Sequence, residues 1–250
     1  MVNFFAVNSE FLVVQRHLMN LKFTTKKIHS EGNSHFHYLC SMNYLESLQQ
    51  RYSVKKFDPA KKLSPEILQN ILDAGKLSAS SLGLQPYRIL VVESDEMKQK
   101  LVPAFFNPSQ ISTCSHLIVI VTRKKIDENY IGNYFNHISQ TREIPVENLQ
   151  PFKKSIDSFM NLNSNEEMLH WNEKQGYLLL GNLMFAAALE KVDTCPMEGF
   201  KMDEISKILE IDSEIEKVTV TLALGYRAED DAFQKMKKVR KPNEKLFKFL

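Results

Sequence analysis

The chain is poor in cysteine and lacks the short signatures that usually announce a chemistry. Cys40, Cys114 and Cys195 are its three thiols in 250 residues, too few and too scattered for a disulfide framework or a zinc site. They read as buried thiols in a reducing, cytoplasmic setting. There is no C-x-x-C, H-E-x-x-H, G-x-S-x-G or G-x-x-x-x-G-K, which removes the best-marked dithiol, zinc-peptidase, serine-hydrolase and P-loop chemistries. No G-x-G-x-x-G occurs either, so a nicotinamide nucleotide would find no Rossmann pocket of its own. A dominant charge is also missing. Lys and Arg total 32 against 30 Asp and Glu, a net charge of +2, which gives nucleic acid no electrostatic footprint. The longest apolar stretch, Gly176–Leu189, falls short of the roughly 20 apolar residues of a membrane span.

What is present begins unevenly. Residues 1–41 carry four of the seven histidines and Arg16, Lys22, Lys26 and Lys27 against Glu10 and Glu31, leaving 28 charges of each sign in residues 42–250. Asn8, Ser9 and Glu10 interrupt the early apolar run, so it does not make a secretory signal. Residues 1–41 therefore read as an N-terminal extension, either disordered or lying ahead of a natural start at Met42. Residues 42–250 are one domain, long enough to bury a substantial core.

The apolar stretch is the centre of that domain. From Gly176 to Leu189 only Asn182 is strongly polar, and a helix apolar around its circumference must be buried on every side. It suits the middle of a domain, or of a pair of domains sharing a core. Pro196 forbids further regular helix, and Glu198-Gly199 follows as a tight turn with backbone N–H groups free to face a ligand. Elsewhere the periodicity predicts a helix with Tyr44, Leu45 and Leu48 on one face. It predicts another capped by Ser64 with Pro65 at its first position, its apolar face supplied by Ile67, Leu68, Ile71, Leu72 and Leu77. Ser94 caps a third, from about Asp95 to Phe106. Strands are expected at Arg88–Glu93, Leu117–Thr122 and Val218–Gly225. His116 reads as a satisfied core residue. Arg123–His170 is helical in tendency and fits a lid or a peripheral helical pair, with Trp171 leading into the central helix. Met202–Leu209 is a short amphipathic helix. Helices separating few strands predict an α+β fold, an α/β sandwich.

Arg51, Ser53, Lys55 and Lys56 fall within six residues. Arg and Ser two apart, leaving a helix, can point together at one phosphate, although a basic run is more often a solvated turn. A second basic cluster, Lys237–Pro242, precedes a tail whose apolar residues need a dock.

Six stretches in order, RYSVKKFD, SASSLGLQPYRILVV, FFNPSQISTCSHLIVIV, CPMEGF, LALGYRAEDD and KVRKP, resemble the oxygen-insensitive NAD(P)H nitroreductases. The resemblance covers essentially all of residues 42–250. It implies a homodimer, each central sheet flanked by helices, with FMN at two sites between the subunits and a C-terminal tail exchanged to complete the partner's sheet. By position, Arg51 and Ser53 match residues that hold the FMN phosphate, with Lys238 and Arg240 completing the clamp. Lys55 matches a lysine at the N1/C2=O edge of the flavin, where it would assist reduction. Ser80 and Ser81 match a loop touching the partner subunit's flavin, and Asn107 an amide on its pyrimidine side. Glu198 and Gly199 match the turn whose amides face N5 and O4. Gln110 stands where many members carry a second lysine, which implies a lower reduction potential. One of Phe152 and Phe159 would be an aromatic gate for substrate. The implied activity is ping-pong reduction of nitroaromatics or quinones: NAD(P)H gives hydride to flavin N5 and leaves before the small-molecule oxidant enters. Flavin or dihydropteridine reduction on the same fold, or a non-catalytic FMN-binding redox protein, are the competing readings. No membrane or nucleic-acid partner is implied.

Overall fold

Strand β2, His116–Arg123, is buried at seven of its eight positions because it is covered on both faces. Leu117, Val119 and Val121 point into one apolar cluster, while Ile118 and Ile120 point into another. A strand enclosed in this way reads as a continuous apolar run rather than as an alternation. Each such aliphatic side chain contributes about 1.5–3 kcal/mol on burial. The computed structural model describes residues 44–250, which belong to one contact unit, Ser41–Leu250. The expected N-terminal extension lies outside the described residues.

β2 pairs antiparallel with β1, Tyr87–Val92, and with β4, Glu216–Gly225. β4 in turn pairs antiparallel with β3, Asp193–Met197, giving the order β1-β2-β4-β3. The register of β2 on β4 shifts between Ile120 and Val121. The shift reverses the parity of β4, so that Val218 joins Ala223 on one face while Val220, Leu222 and Leu224 occupy the other.

Helices cover both faces, which makes the architecture α+β as expected. On one side lie α2, Pro65–Lys76, and the long α7, Asn165–Leu189. Two glycines permit close packing of α7, one against α2 and one against the sheet. A Cβ on Gly75 would stand 2.6 Å from Leu183 Cδ2, and one on Gly176 3.0 Å from Thr122 Cγ2. Asn182, the polar residue in the apolar run, donates its amide to the carbonyl of Ala74 on α2. The opposite face takes α3, Asp95–Leu101, α4, Pro108–Thr113, and α8, Met202–Ile208. Leu101, Ile111 and Ile205 from these helices are fully buried there. A third cluster joins α5, Glu128–Arg142, and α6, Gln150–Asn161, to the first turns of α7 through Phe135, Ile156, Met168 and Trp171. The remaining α-helices among the described residues are α1, Tyr44–Gln50, and α9, Asn243–Leu246.

The caps follow the sequence. Ser64 and Ser94 accept the N–H groups of Ile67 and Met97, and Ser164 with Glu167 closes a capping box on α7. His116 is a satisfied core residue, its Nδ1 2.9 Å from Ser115 Oγ. No helix among the described residues is long and apolar enough to cross a membrane.

Three expectations need correction. The segment Asp193–Met197, containing Pro196, is a strand rather than the approach to a turn. It lies at the sheet edge, where a missing N–H leaves no ladder partner unsatisfied. The central helix starts at Asn165, before Trp171, and within a single chain one flank of it stays exposed. The sheet and α2 cover one flank, leaving Leu178 53% and Phe185 37% exposed. Leu77 is the C-cap of α2 and points outward instead of joining the apolar face.

Candidate functional site

The edge strand β3 organises the site. The segment leaving α1 runs beside it: Ser53 forms a parallel bridge with Thr194, and Val54 N donates to Thr194 O at 3.2 Å. The chain leaving β4 closes on the same segment, with Asp58 N on Tyr226 O at 2.8 Å and Ala228 N on Lys56 O at 3.0 Å. Two carboxylates fix this arrangement. Asp231 accepts from the amides of Lys55 (2.7 Å), Lys56 (3.0 Å) and Phe233 (2.8 Å). Asp193 accepts from Arg227 N at 2.8 Å and holds its guanidinium through Nε and Nη2, down to 2.5 Å. That guanidinium also lies 4.6 Å above the Tyr52 ring. Burial alone would raise the Asp231 pKa, but the three amides outweigh it and hold the carboxyl below its ordinary value.

These contacts frame a cavity of about 690 Å³ whose walls carry Arg51, Ser53, Lys55, Arg227, Lys238 and Arg240. Among the described residues no carboxylate lines it. Lys238 Nζ donates to Leu48 O at 2.5 Å and to Arg51 O, which draws the C-terminal basic cluster onto the end of α1. Arg51 Nη1 is buried with no partner among the described residues. Burial, and then the neighbouring Arg240, lower the pKa of Arg51. Burial, followed by Arg51, Arg240 and Arg227, lowers that of Lys238. Crowded cations with a buried, unsatisfied N–H have the chemistry that a compact oxyanion would satisfy. An FMN phosphate fits that requirement, since a dianion needs several fixed donors and arginine offers a planar fork.

The other expected site residues do not line this cavity. Following β3 away from Thr194 leads to Glu198 and Gly199. The turn there is pinned by Phe200 N on Glu198 O and Phe106 N on Gly199 O, each 3.0 Å. The amides of Glu198 and Gly199 donate to no acceptor among the described residues. Glu198 Oε1 accepts the Tyr177 hydroxyl at 2.5 Å, and burial followed by Glu198 pushes the phenol up to about 12. Asn107 is the exposed N-cap residue of α4 and makes no side-chain capping bond. Gln110, on α4, is buried with Oε1 unpartnered. Ser80 and Ser81 lie in the loop between α2 and β1: Ser80 Oγ accepts Gln85 N at 3.0 Å, and Ser81 N donates to Gln175 Oε1 at 2.8 Å. Phe152 and Phe159 pack within the third cluster, 5.6 Å from Phe135 and 5.3 Å from Trp171.

Sequence reasoning passed over the residues that hold the others in place. Asp231 lay inside a quoted motif, and Tyr177 inside the apolar helix, but neither received a role. Arg227 lay inside a quoted motif and Asp193 just ahead of one, and the two become partners only once β3 is known to pair with β4.

Comparison with known proteins agrees with this architecture. The nitroreductase family profile matches residues 48–226. A Staphylococcus haemolyticus protein provisionally named an NAD(P)H nitroreductase is 35% identical over 208 residues, covering 80% of this chain and 94% of its own length. Bacillus subtilis YfkO, with the same provisional name, is 35% identical over 197 residues, covering 74% and 89%. Among solved structures, a provisionally assigned NAD(P)H:FMN oxidoreductase of Staphylococcus epidermidis has a TM-score of 0.73 at 28% identity, covering 84% of this chain and 96% of that one. A provisionally assigned nitroreductase of Exiguobacterium sibiricum, solved in complex with FMN, has a TM-score of 0.73 at 23% identity and covers 84% and 98%; it bears on the fold. Matched over most of its length in sequence and in space, the chain belongs to the nitroreductase family.

Proposed function

We propose that this protein is an FMN-dependent NAD(P)H oxidoreductase that reduces nitroaromatics or quinones by a ping-pong cycle. The observation that carries the reading is the buried, unpartnered Nη1 of Arg51, a residue that lines a cavity rich in cations and, among the described residues, free of acids. Arg51, Ser53, Lys238 and Arg240 hold the phosphate. When bound, FMN supplies the hydride-accepting chemistry, and the protein supplies orientation and electrostatics. Lys55 sets a cation against the flavin edge that gains negative charge on reduction. The Glu198 and Gly199 amides donate at the other side of the ring, beside Asn107 and Gln110. Nicotinamide and oxidant use one cleft in turn, which is consistent with the missing Gly-rich fingerprint.

The working assembly is a homodimer formed by residues 42–250. Leu178, Phe185 and Leu189 on α7 and Phe249 and Leu250 in the tail are exposed, and a second copy would cover them. In that dimer Ser80 and Ser81 reach the flavin of the partner subunit, and Phe152 or Phe159 gates it. The two described thiols, Cys114 and Cys195, are buried and free, which suits a cytoplasmic enzyme.

A visible spectrum before and after anaerobic NADPH, followed by a quinone, tests the proposal. It predicts a bound yellow flavin that bleaches with NADPH and recovers with quinone. Flavin that is bound but never bleached would identify a non-catalytic binder, and absence of flavin would remove the cofactor.

A further inference from the structure

The loop joining α2 to β1 has an unusual backbone. Leu82 (φ 57°), Gly83 (φ 69°) and Gln85 (φ 44°) lie in the left-handed region, which residues with a Cβ seldom occupy. Such a conformation persists only where its surroundings over-determine it, and the direction of inference is from the outlier to a role.

The surroundings here are two tyrosines of α5. Tyr130 shares its one hydroxyl proton between the carbonyls of Leu84 and Gln85, both at 2.8 Å. Tyr134, one turn later, donates to Leu82 O at 3.0 Å. A Cβ built on Gly83 would collide with the Tyr134 hydroxyl, so the glycine and the tyrosine fit only as a pair. Gln175 on α7 takes Ser81 N, and the Arg123 guanidinium lies 4.8 Å over the Tyr130 ring. Ile131, Phe135 and Ile138 anchor the inner face of α5 in the third cluster. Three carbonyls of one short loop are thus gripped by a helix that supplies nothing to the basic cavity.

We propose that Tyr130 and Tyr134 are positioning residues for the flavin-facing loop: by gripping the carbonyls of Leu82, Leu84 and Gln85 they fix where Ser80 and Ser81 stand. The inference rests on the proposed function, since it takes that loop to face the cofactor. It makes α5 and α6 more than a peripheral cover, because any shift of α5 moves the cofactor loop with it. It also accounts for glycine at position 83, where a Cβ would meet the Tyr134 hydroxyl.

The test is a double-mutant cycle on the full chain with its flavin. Gly83→Ala should lower the melting temperature in the Tyr134 background and lower it less with Tyr134→Phe, because the hydroxyl that collides is gone. In Tyr130→Phe/Tyr134→Phe, the visible circular dichroism of the bound flavin should change and KM for the oxidant should rise several-fold, with FMN still bound through the distant phosphate clamp. Additive melting shifts in the cycle would overturn the pairing of Gly83 with Tyr134. Coupled melting shifts with an unchanged flavin spectrum and unchanged KM would overturn the positioning role and leave a structural contact. A wild-type protein that binds no flavin would overturn the proposed function and this role with it, while the melting cycle would still report the grip itself.

Discussion

Lys238 hands its ammonium protons to the carbonyls of Leu48 and Arg51, so the basic cluster near the C-terminus is tied to the end of the first described helix. The same lysine and Arg240 crowd the Arg51 guanidinium. Positive groups brought this close repel one another, and an anion would relieve the repulsion.

Inorganic phosphate should therefore raise the melting temperature of the flavin-free protein, and Lys238→Ala should abolish most of the rise. At a hundred times the dissociation constant, linkage gives about 2.7 kcal/mol. The pH dependence has a definite sign. Lys238 titrates lower in the folded protein than in the unfolded chain, where a lysine titrates near ~10.4. Between the two values the unfolded chain binds more protons, so stability from this group rises with pH in that window. Bound phosphate should shrink the rise. Differential scanning fluorimetry with and without phosphate from neutral pH to about 10 checks both points.

Asp231→Asn should destabilise the fold by roughly 1–3 kcal/mol, because the charged acceptor for three backbone amides is replaced by a neutral one. The wild-type carboxyl titrates below its ordinary value. Its contribution is therefore complete above the unfolded-state pKa near ~3.9 and is lost as pH falls through the depressed folded value. Urea unfolding at a series of acidic pH values should show a shallower acid limb in the variant than in the wild type.

Tyr177→Phe should leave FMN bound and lower kcat/KM by roughly tenfold or less, the scale of one ordinary, partly exposed hydrogen bond. The loss follows from freeing the Glu198 side chain and loosening the turn that bears the two unpartnered amides. With its pKa pushed up to about 12, the phenol stays a donor throughout the working range, so the wild-type pH–rate profile should show no limb from Tyr177. Steady-state kinetics from about pH 6 to 9 cover the range in which such a limb would matter.

Removing residues 243–250 should convert a dimer to a monomer or weaken it markedly, because Phe249 and Leu250 are almost fully exposed, at 96% and 108%. Sedimentation velocity of the full and shortened chains distinguishes this from a tail with no assembly role, which would leave the sedimentation coefficient per mass unchanged.

Much of the fold could be read from residues whose role is local. LIVIVT could be placed because both faces of β2 are covered, and Ser64-Pro65 because a cap and a first-turn proline act within four residues. β3 was hidden by Pro196, whose presence argues against a strand until the strand is known to be an edge. The exposed flank of α7 was hidden for another reason: apolar pattern reports how greasy a helix is, not which neighbour covers it. At the site, the basic residues could be found through motif resemblance, and the cavity brings Arg51, Ser53, Lys55, Lys238 and Arg240 together. The anchors Asp231 and Tyr177 were not legible, since their partners lie 176 and 21 positions away and only the folded chain brings them into contact.

The central claim is that the cations around Arg51 hold a flavin phosphate. Fluorescence titration of FMN and of riboflavin into flavin-free wild type, Arg51→Ala and Arg240→Ala tests it most directly. FMN should bind the wild type tightly and each variant roughly tenfold to a hundredfold more weakly, as one or two charge-assisted hydrogen bonds are lost, whereas the weaker binding of riboflavin should barely change. Equal affinity for FMN and riboflavin in the wild type, or variants that keep full FMN affinity, would contradict it.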